Sequence, residues 1–191
     1  EVYIHNKSGA RKATGSYFTK AFAVDHLLDL SLEPALNEHV IRLEALDEVE
    51  AGKSFFDFRV ADIAMGSGHF LVAAVDRIER RLQQYLSDRP LPVVIDELAR
   101  LRTSATKALG PLAEGIDIED TSLLRRQIAR RCIYGVDLNP VAVELARVSL
   151  WIHTFVPGLP LSMLDHHLVE GNSLVGIGTL DEARELVSEA A

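Results

Sequence analysis

Two acidic residues each follow an apolar, strand-like segment and precede a turn that leads into a helix. Asp62 lies within the segment 58–63 and is followed by the glycine turn Gly66-Ser67-Gly68. Glycines there let the backbone approach a ligand, and the helix N-terminus adds free N–H donors. Asp137 ends the segment 132–137, and a carboxylate at that place can accept from vicinal ribose hydroxyls. The pair predicts a site for a nucleoside-containing ligand.

Each of these features also has a purely structural interpretation. Gly-x-Gly alone fits an ordinary strand-to-helix turn, and Asp137 together with Asn139 could merely cap the next helix. We expect Asn139 to be the cap and Asp137 to face the ligand. Leu71 stands where the dinucleotide fingerprint requires its third glycine, which counts against an NAD-dependent enzyme.

The elements that would position these residues follow the order strand, helices, strand, helix, strand. This order predicts an α/β fold with a parallel sheet, whose ligands bind at the carboxyl ends of the strands. The expected elements are helices from Ala21 and from Pro34, strand 58–63, a helix after Gly68, helices 93–109 and 122–131, strand 132–137, a helix to Thr154, strand 167–170 and a tail helix 180–191.

Side-chain patterning within these helices gives further expectations. Pro34 is expected to open a second helix, with an apolar face formed by Leu36, Val40, Leu43 and Leu46. In the helix after Gly68, the cations Arg77, Arg80 and Arg81 are expected to face water.

Composition and charge narrow the function classes. The 191 residues predict one domain, and 20 Lys plus Arg against 28 Asp plus Glu give a net charge of −8. That charge argues against strong non-specific binding of nucleic acid by this chain alone. The single cysteine, Cys132, excludes a disulfide framework within the chain, and no apolar run is long enough to predict a membrane span. We expect a cytoplasmic protein, and the start at Glu1 rather than Met predicts a fragment or a processed chain.

Two other clusters carry weaker expectations. His166 and His167 are neighbours that would point to opposite faces of a strand, so no metal site is predicted. A basic group on the helix before Cys132 fits either a solvated face or a DNA contact; its members are Arg125, Arg126, Arg130 and Arg131.

Four segments resemble motifs of adenine-specific DNA methyltransferases of restriction–modification systems, in the same order along the chain. The segment Arg11–Lys20 (RKATGSYFTK) resembles the arm motif R-K-x-x-G-x-[FY]-Y-T-P, and Asp62–Leu71 (DIAMGSGHFL) resembles the cofactor loop D-P-A-C-G-S-G-x-F-L. Tyr134–Pro140 looks like the family's acidic strand, and Gly171–Leu174 is similar to its G-N-S-L. The long helical insertion is typical of the type I and type IIG-like branch, in which restriction and modification are combined.

The resemblance implies a Rossmann-like fold, S-adenosylmethionine as cofactor, and transfer of its methyl group to the N6 amine of an extruded adenine. Tyr17, Phe18 and Thr19 would close over the methionine end. The loop residues would contact the methionine ammonium and carboxylate, partly through backbone groups; they are Asp62, Ala64, Gly66 and Gly68, and Phe70 is counted with them. Asp137 would hold the ribose and Leu138 would flank the adenine ring. Asn172, with Ser173 beside it, would bind the adenine edge.

The chain departs from the family at several positions. Ile63 and Lys20 stand where the family has proline, and Met65 stands where it has cysteine. The catalytic tetrapeptide N-P-P-[YF] does not occur, because Asn139-Pro140-Val141-Ala142 lies after the second strand and lacks the aromatic residue. An adenine amine needs acceptors for its hydrogens and an aromatic ring to stack on the base. No catalytic residue is therefore predicted, and the chain alone is expected to bind cofactor without turnover.

We therefore interpret the chain as the N-terminal part of a methyltransferase domain, whose full-length protein would act on double-stranded DNA. The predicted divisions are 1–57 (arm and helices), 58–72 (first strand and cofactor loop), 73–131 (helical insertion), 132–178 (second and third strands) and 179–191 (tail helix). Because the family's fourth strand pairs beside the first, self-association through an open sheet edge is expected. Two alternatives stay open: a methyltransferase acting on a small molecule or protein, and a non-catalytic interaction module of the same fold.

Overall fold

A three-stranded parallel sheet organises the chain, whose computed structural model describes residues 19–160 and 167–174. The strands β1 (Val60–Asp62), β2 (Ile133–Asp137) and β3 (Leu168–Glu170) lie in that order. The helices are α1 (Ala21–Ala45), α2 (Glu48–Ser54), α3 (His69–Asp88), α4 (Pro92–Leu109), α5 (Asp120–Cys132) and α6 (Pro140–His153), with a 3₁₀ turn at Gly110–Ala113. The predicted α/β class with a parallel sheet is confirmed for the described residues, and the sheet is compatible with a Rossmann-like fold.

The register of the strands fixes which residues meet at the carboxyl edge. Asp62 pairs with Gly135, so β2 extends two residues beyond β1, and its last residue, Asp137, pairs with Glu170. Asp137 therefore stands level with the turn that follows β1. Among the described residues β1 pairs with β2 only, which leaves its other edge open. The tail helix expected over 180–191 lies outside the described residues.

The core surrounds α3, which contacts the sheet on one part of its surface and neighbouring helices on others. Leu71, Ala74, Ile78 and Leu82 form the buried face of α3, as the periodicity predicts. Helix α3 also packs against α1, α5 and α6, so it is the central helix of the described chain. Helix α5 runs directly into β2 at Ile133 without a connecting loop. The helices between β1 and β2 are thereby joined to both strands.

The expectation that Pro34 opens a second helix is wrong, because α1 is one helix of 25 residues with Pro34 inside it. The buried residues Leu28, Leu32 and Leu36 follow one another at intervals of four, so the same face continues through the proline. Burial of that face outweighs the backbone hydrogen bond that proline cannot donate.

The expectation that Arg77 faces water is also wrong. Its guanidinium bonds Asp29, Glu33 and Asp25 on α1, with distances of 3.0 Å to Glu33 and 3.2 Å to Asp25. Only 19% of the Arg77 side chain is exposed. Arg77 therefore joins α3 to α1.

The contacts between α1 and α3 show that the two helices run in the same direction. Near the start of both helices Asp25 of α1 bonds Arg77 of α3, and further along Asn37 bonds Arg81. At the end of both helices the Leu43 carbonyl accepts from Arg89. The start of α1 thus lies on the same side of the molecule as the start of α3, which is the carboxyl edge of the sheet. None of the helices in the described ranges is both long and apolar enough to cross a membrane.

Candidate functional site

The predicted site residues of β1 and β2 meet at the carboxyl edge of the sheet through a direct hydrogen bond. The Gly66 N–H donates to Asp137 Oδ2 at 2.8 Å, although the two residues are 71 positions apart. The other oxygen, Asp137 Oδ1, accepts from the Asn139 N–H at 2.8 Å. Asp137 therefore holds the glycine turn against the end of β2. A carboxylate offers about four lone-pair positions, so acceptor capacity remains for a ligand.

Asp62 forms a tight local turn in the same place. Its Oδ1 accepts from the Ala64 N–H at 3.0 Å. Burial raises the pKa of Asp62 above its ordinary value, the Ala64 hydrogen bond opposes this, and the nearby Asp137 carboxylate raises it further. Two carboxylates at one edge make the site favourable for a cationic group on a ligand.

The two glycines of the turn have different structural roles. Gly68 has φ +80°, and a Cβ there would come within 3.1 Å of the Ala146 Cβ, so the start of α3 lies against α6. Gly66 has φ +54°, and no atom lies within 4 Å of where its Cβ would be. Both positions need glycine for backbone conformation, and the open space at Gly66 leaves room beside its backbone.

A third glycine, Gly135 in β2, makes room for Met65. A Cβ at Gly135 would lie within 2.2 Å of the Met65 Sδ, and Met65 is buried. The Met65 N–H donates to the Val136 carbonyl at 3.1 Å. Met65, which stands where the family has cysteine, thus fills the space that the missing side chain of Gly135 leaves.

Apolar side chains border the two carboxylates. Leu138 follows Asp137 and is 64% exposed, and Ile63 follows Asp62 and is 60% exposed. The sequence analysis names Ile63 only as a departure from the family's proline and does not predict it as a site residue. The available signal was an apolar residue directly after an acidic strand end.

Phe70 lines a groove of about 310 Å³ that runs beside the open edge of β1. Leu27, Leu28 and Ser31 of α1 form the opposite wall, and Asp62 and Ile63 lie at the end nearest the turn. The structure therefore places Phe70 between β1 and α1, whereas Asp137 is not among the residues that line the groove.

The remaining predicted residues lie at the margins of this site. The Gly171 N–H donates to the Asp137 carbonyl at 3.0 Å, which brings the segment after β3 beside the end of β2. Asn172 Oδ1 accepts from the Leu174 N–H at 2.9 Å, and both Asn172 and Ser173 are exposed. Thr19 precedes α1 at the same edge of the molecule. Tyr17 and Phe18 lie outside the described residues.

The basic group on α5 is neither one solvated face nor one continuous DNA-contacting surface. Arg125 pairs with Glu79 of α3 at 3.0 Å, and Arg131 pairs with Glu97 of α4 at 3.2 Å. Arg126 is buried and donates to the Pro160 carbonyl, and Arg130 is exposed. These four cations lie on different sides of α5, and Arg125, Arg126 and Arg131 bond other parts of the chain.

Histidine and cysteine give no sign of metal chemistry in the described ranges. The His167 ring stacks on Tyr134 with centroids 4.4 Å apart, and His166 lies outside those ranges. Within residues 19–160 and 167–174, no cluster of three or more His, Cys, Asp or Glu side chains could hold a metal ion. Cys132 is buried, and burial raises its pKa to about 12, so its thiol is unreactive at neutral pH.

Comparison with known proteins gives one named relative. The chain is 28% identical over 168 residues to a protein of Methanocaldococcus jannaschii named "Putative type II restriction enzyme and methyltransferase". The match covers 80% of this chain and 11% of that protein, so the chain spans about a tenth of its relative's length. No family model matches the chain, and no solved structure matches it significantly. The similarity supports a relation to methyltransferases of restriction–modification systems.

Proposed function

We propose that the chain is the S-adenosylmethionine-binding portion of a DNA methyltransferase of a restriction–modification system that modifies adenine at N6. The observation that carries the proposal is the meeting of Asp62, Gly66 and Asp137 at one edge of a parallel sheet, joined by the Gly66–Asp137 hydrogen bond. S-adenosylmethionine carries an ammonium, a ribose and an adenine, and the cofactor supplies an electrophilic methyl group.

The donor set at this edge fits such a molecule. Asp137 has acceptor capacity left for the two ribose hydroxyls after its two backbone hydrogen bonds. Asp62, whose charge is disfavoured by burial, would gain from an ammonium group beside it. The exposed side chains of Leu138 and Ile63 offer apolar contact to a purine or to the aliphatic part of the ligand. Asn172 keeps an amide group that can donate to the adenine edge.

The adenine-N6 reaction is supported by the motif resemblance, and the named relative supports the methyltransferase class alone. Because N-P-P-[YF] does not occur in the 191 residues, we propose that this chain supplies cofactor binding, and that the groups that hold the target base belong to another segment. DNA as substrate and the cytoplasmic location are part of the same proposal. In a longer protein that combines this chain with such a segment, N6-methyladenine in digested DNA would establish the base.

Calorimetric titration of S-adenosylmethionine tests the cofactor site. We expect measurable binding to the wild-type chain and a loss of about 1–3 kcal/mol in Asp137→Ala, because a charged acceptor is removed. Asp96→Ala, an exposed aspartate on α4, is the matched control and should bind as the wild type does. Equal affinity of the Asp137→Ala variant and the wild type would remove Asp137 from the site.

One observation favours the alternative of a non-catalytic module. Both oxygens of Asp137 already accept from backbone N–H groups of the chain itself, which is what a purely structural cap would do. A thermal melt with and without S-adenosylmethionine separates the two functions, because a ligand that binds only the folded state raises the melting temperature. An unchanged melting temperature at saturating cofactor would favour the structural module.

A further inference from the structure

Arg126 of α5 is a buried cation whose charge has no carboxylate partner in the described ranges. Only 3% of its surface is exposed, and its guanidinium donates to one acceptor there, the Pro160 carbonyl. Its Nε–H is buried without a hydrogen-bond partner. A guanidinium has five N–H donors and stays charged at neutral pH, and buried charges in folded proteins are normally paired. The surroundings of Arg126 therefore lack a negative charge.

The acidic side chains that reach α5 from the neighbouring helices are bonded to other cations. Glu79 of α3 pairs with Arg125 at 3.0 Å, and Glu97 of α4 pairs with Arg131 at 3.2 Å. Each of these carboxylates thus serves a cation on another side of α5. The two pairs leave Arg126 without a carboxylate from α3 or α4.

A second cation lies beside Arg126. Arg130 follows it by about one turn of α5, is exposed, and forms no ion pair with any residue that the structure describes. Burial lowers the pKa of Arg126, and the charge of Arg130 lowers it further. Two neighbouring like charges, one of them buried, attract a negative ion to the space beside both.

The segment that bonds Arg126 is packed closely against α4. Gly158 has φ +82°, and a Cβ there would come within 2.3 Å of the Ala105 carbonyl oxygen. Gly158 therefore needs glycine for both its conformation and its space. Because this close approach positions the nearby Pro160 carbonyl, it also holds the Arg126 guanidinium in place. A guanidinium that is already held binds an anion without the cost of ordering a flexible side chain.

We propose that Arg126 and Arg130 form a binding site for a small tetrahedral oxyanion such as inorganic phosphate. The oxygens of such an ion accept charge-assisted hydrogen bonds from several guanidinium N–H groups at once. The ion would enter beside the exposed Arg130, and the burial of Arg126 favours a free ion over the backbone of a polymer. The site lies apart from the cofactor site, because α5 runs into the start of β2 whereas Asp137 ends that strand.

Thermal melts of the 191-residue chain in phosphate test the site. With a dissociation constant on the order of 1 mM, about 20 mM phosphate should raise the melting temperature by about 5 °C relative to sodium chloride of the same ionic strength. The shift should also saturate, whereas the general stabilisation of proteins by phosphate salts continues to grow with concentration. A shift no larger than that in chloride, or one that does not saturate, would overturn the proposal.

Two substitutions locate the site on α5. Arg126→Met should abolish the saturable phosphate shift, because it removes the buried cation. Arg130→Met, at an exposed position where folding is not at risk, should weaken phosphate binding by on the order of tenfold. Arg100→Met, at an exposed arginine of α4, is the matched control and should keep the shift of the wild type. Circular dichroism checks that each variant is folded. Retention of the full shift by either Arg126→Met or Arg130→Met would contradict the proposal.

Two further measurements identify the source of the negative charge. Asp165 is the first carboxylate of the chain after Pro160 and lies outside the described residues. Asp165→Asn should respond to phosphate as the wild type does. A response seen in Asp165→Asn but not in the wild type would show that the chain's own carboxylate compensates Arg126, and would overturn the proposal. A short DNA duplex should not replace phosphate; a duplex-induced shift that Arg126→Met abolishes would assign the site to a backbone phosphate and overturn the free ion.

Discussion

The charge of Asp62 is unfavourable for folding, although the same charge would favour a cationic ligand. Its carboxylate stabilises the turn by accepting from Ala64, yet burial and the nearby Asp137 raise its pKa, so the charged form is disfavoured in the folded chain. The ordinary value of 3.8 applies in the unfolded chain. The contribution of Asp62 to stability therefore decreases as the pH rises from that value through the higher pKa of the folded state.

Asp62→Asn should consequently raise the free energy of unfolding at neutral pH. The asparagine Oδ1 can still accept from the Ala64 N–H, whereas the buried charge is gone. Urea denaturation of the variant and the wild type at neutral pH, and again well below pH 3.8, measures the difference. The difference should vanish in acid because Asp62 is then protonated in both the folded and the unfolded state. Asp96→Asn is the exposed control. A variant less stable than the wild type at neutral pH would contradict this account.

For single residues, the local sequence predicts contacts between near neighbours but not contacts between distant parts of the chain. Asn139 was predicted to cap α6, and its Oδ1 accepts from the Val141 N–H at 3.0 Å, because capping depends on residues only two positions apart. The partners of Arg77 could not be predicted, because α1 and α3 meet only in the folded chain. The Gly66–Asp137 bond depends in the same way on the register of two distant strands.

Among the elements, α1 shows how packing changes what local signals predict. Proline lacks an N–H and usually ends or begins a helix, so the sequence around Pro34 favoured a boundary there. Apolar residues at 28, 32 and 36 instead keep one face buried on both sides of it. The three strands and helices α3, α4, α5 and α6 were predicted within a few residues, since their hydrophobic periodicity and their boundaries agree, whereas the short helix α2 was not predicted.

Pro34→Ala should therefore stabilise the chain by about 1–3 kcal/mol, because alanine restores a helical hydrogen bond and has the highest helix propensity. Pro34 is exposed, so no core packing is lost. Pro92→Ala supplies the control, since Pro92 occupies the first turn of α4, where a missing N–H costs little. Chemical denaturation of both variants measures the effect. Equal changes for the two substitutions would show that Pro34 imposes no cost on α1.

For the whole molecule, the side chain of Arg77 connects the first half of α1 to the central helix α3. Its three carboxylate partners belong to successive turns of α1, so one guanidinium contacts that helix over three turns. Those carboxylates are partly exposed, with Asp25 the most open at 62%, and solvent weakens each pair.

Arg77→Met should lower the free energy of unfolding by about 1–2 kcal/mol, because three carboxylates then lose their shared cation. The wild-type chain should lose part of this contribution in high salt, whereas the variant should respond less. Arg80→Met, at an exposed neighbour on α3, is the matched control. Urea titrations at low and high ionic strength provide the measurement. A loss no greater than that of Arg80→Met would show that α1 is held by its apolar face alone.

The contact between the Gly66 amide and the Asp137 carboxylate does not depend on the length of the chain between these residues. It joins the turn after β1 directly to the end of β2, across 71 positions of chain that include α3, α4 and α5. Lengthening or shortening the connection near Gly115, between α4 and α5, would leave the strand register and this bond in place. The size of the helical region between β1 and β2 can therefore change without moving the residues at the ends of these strands.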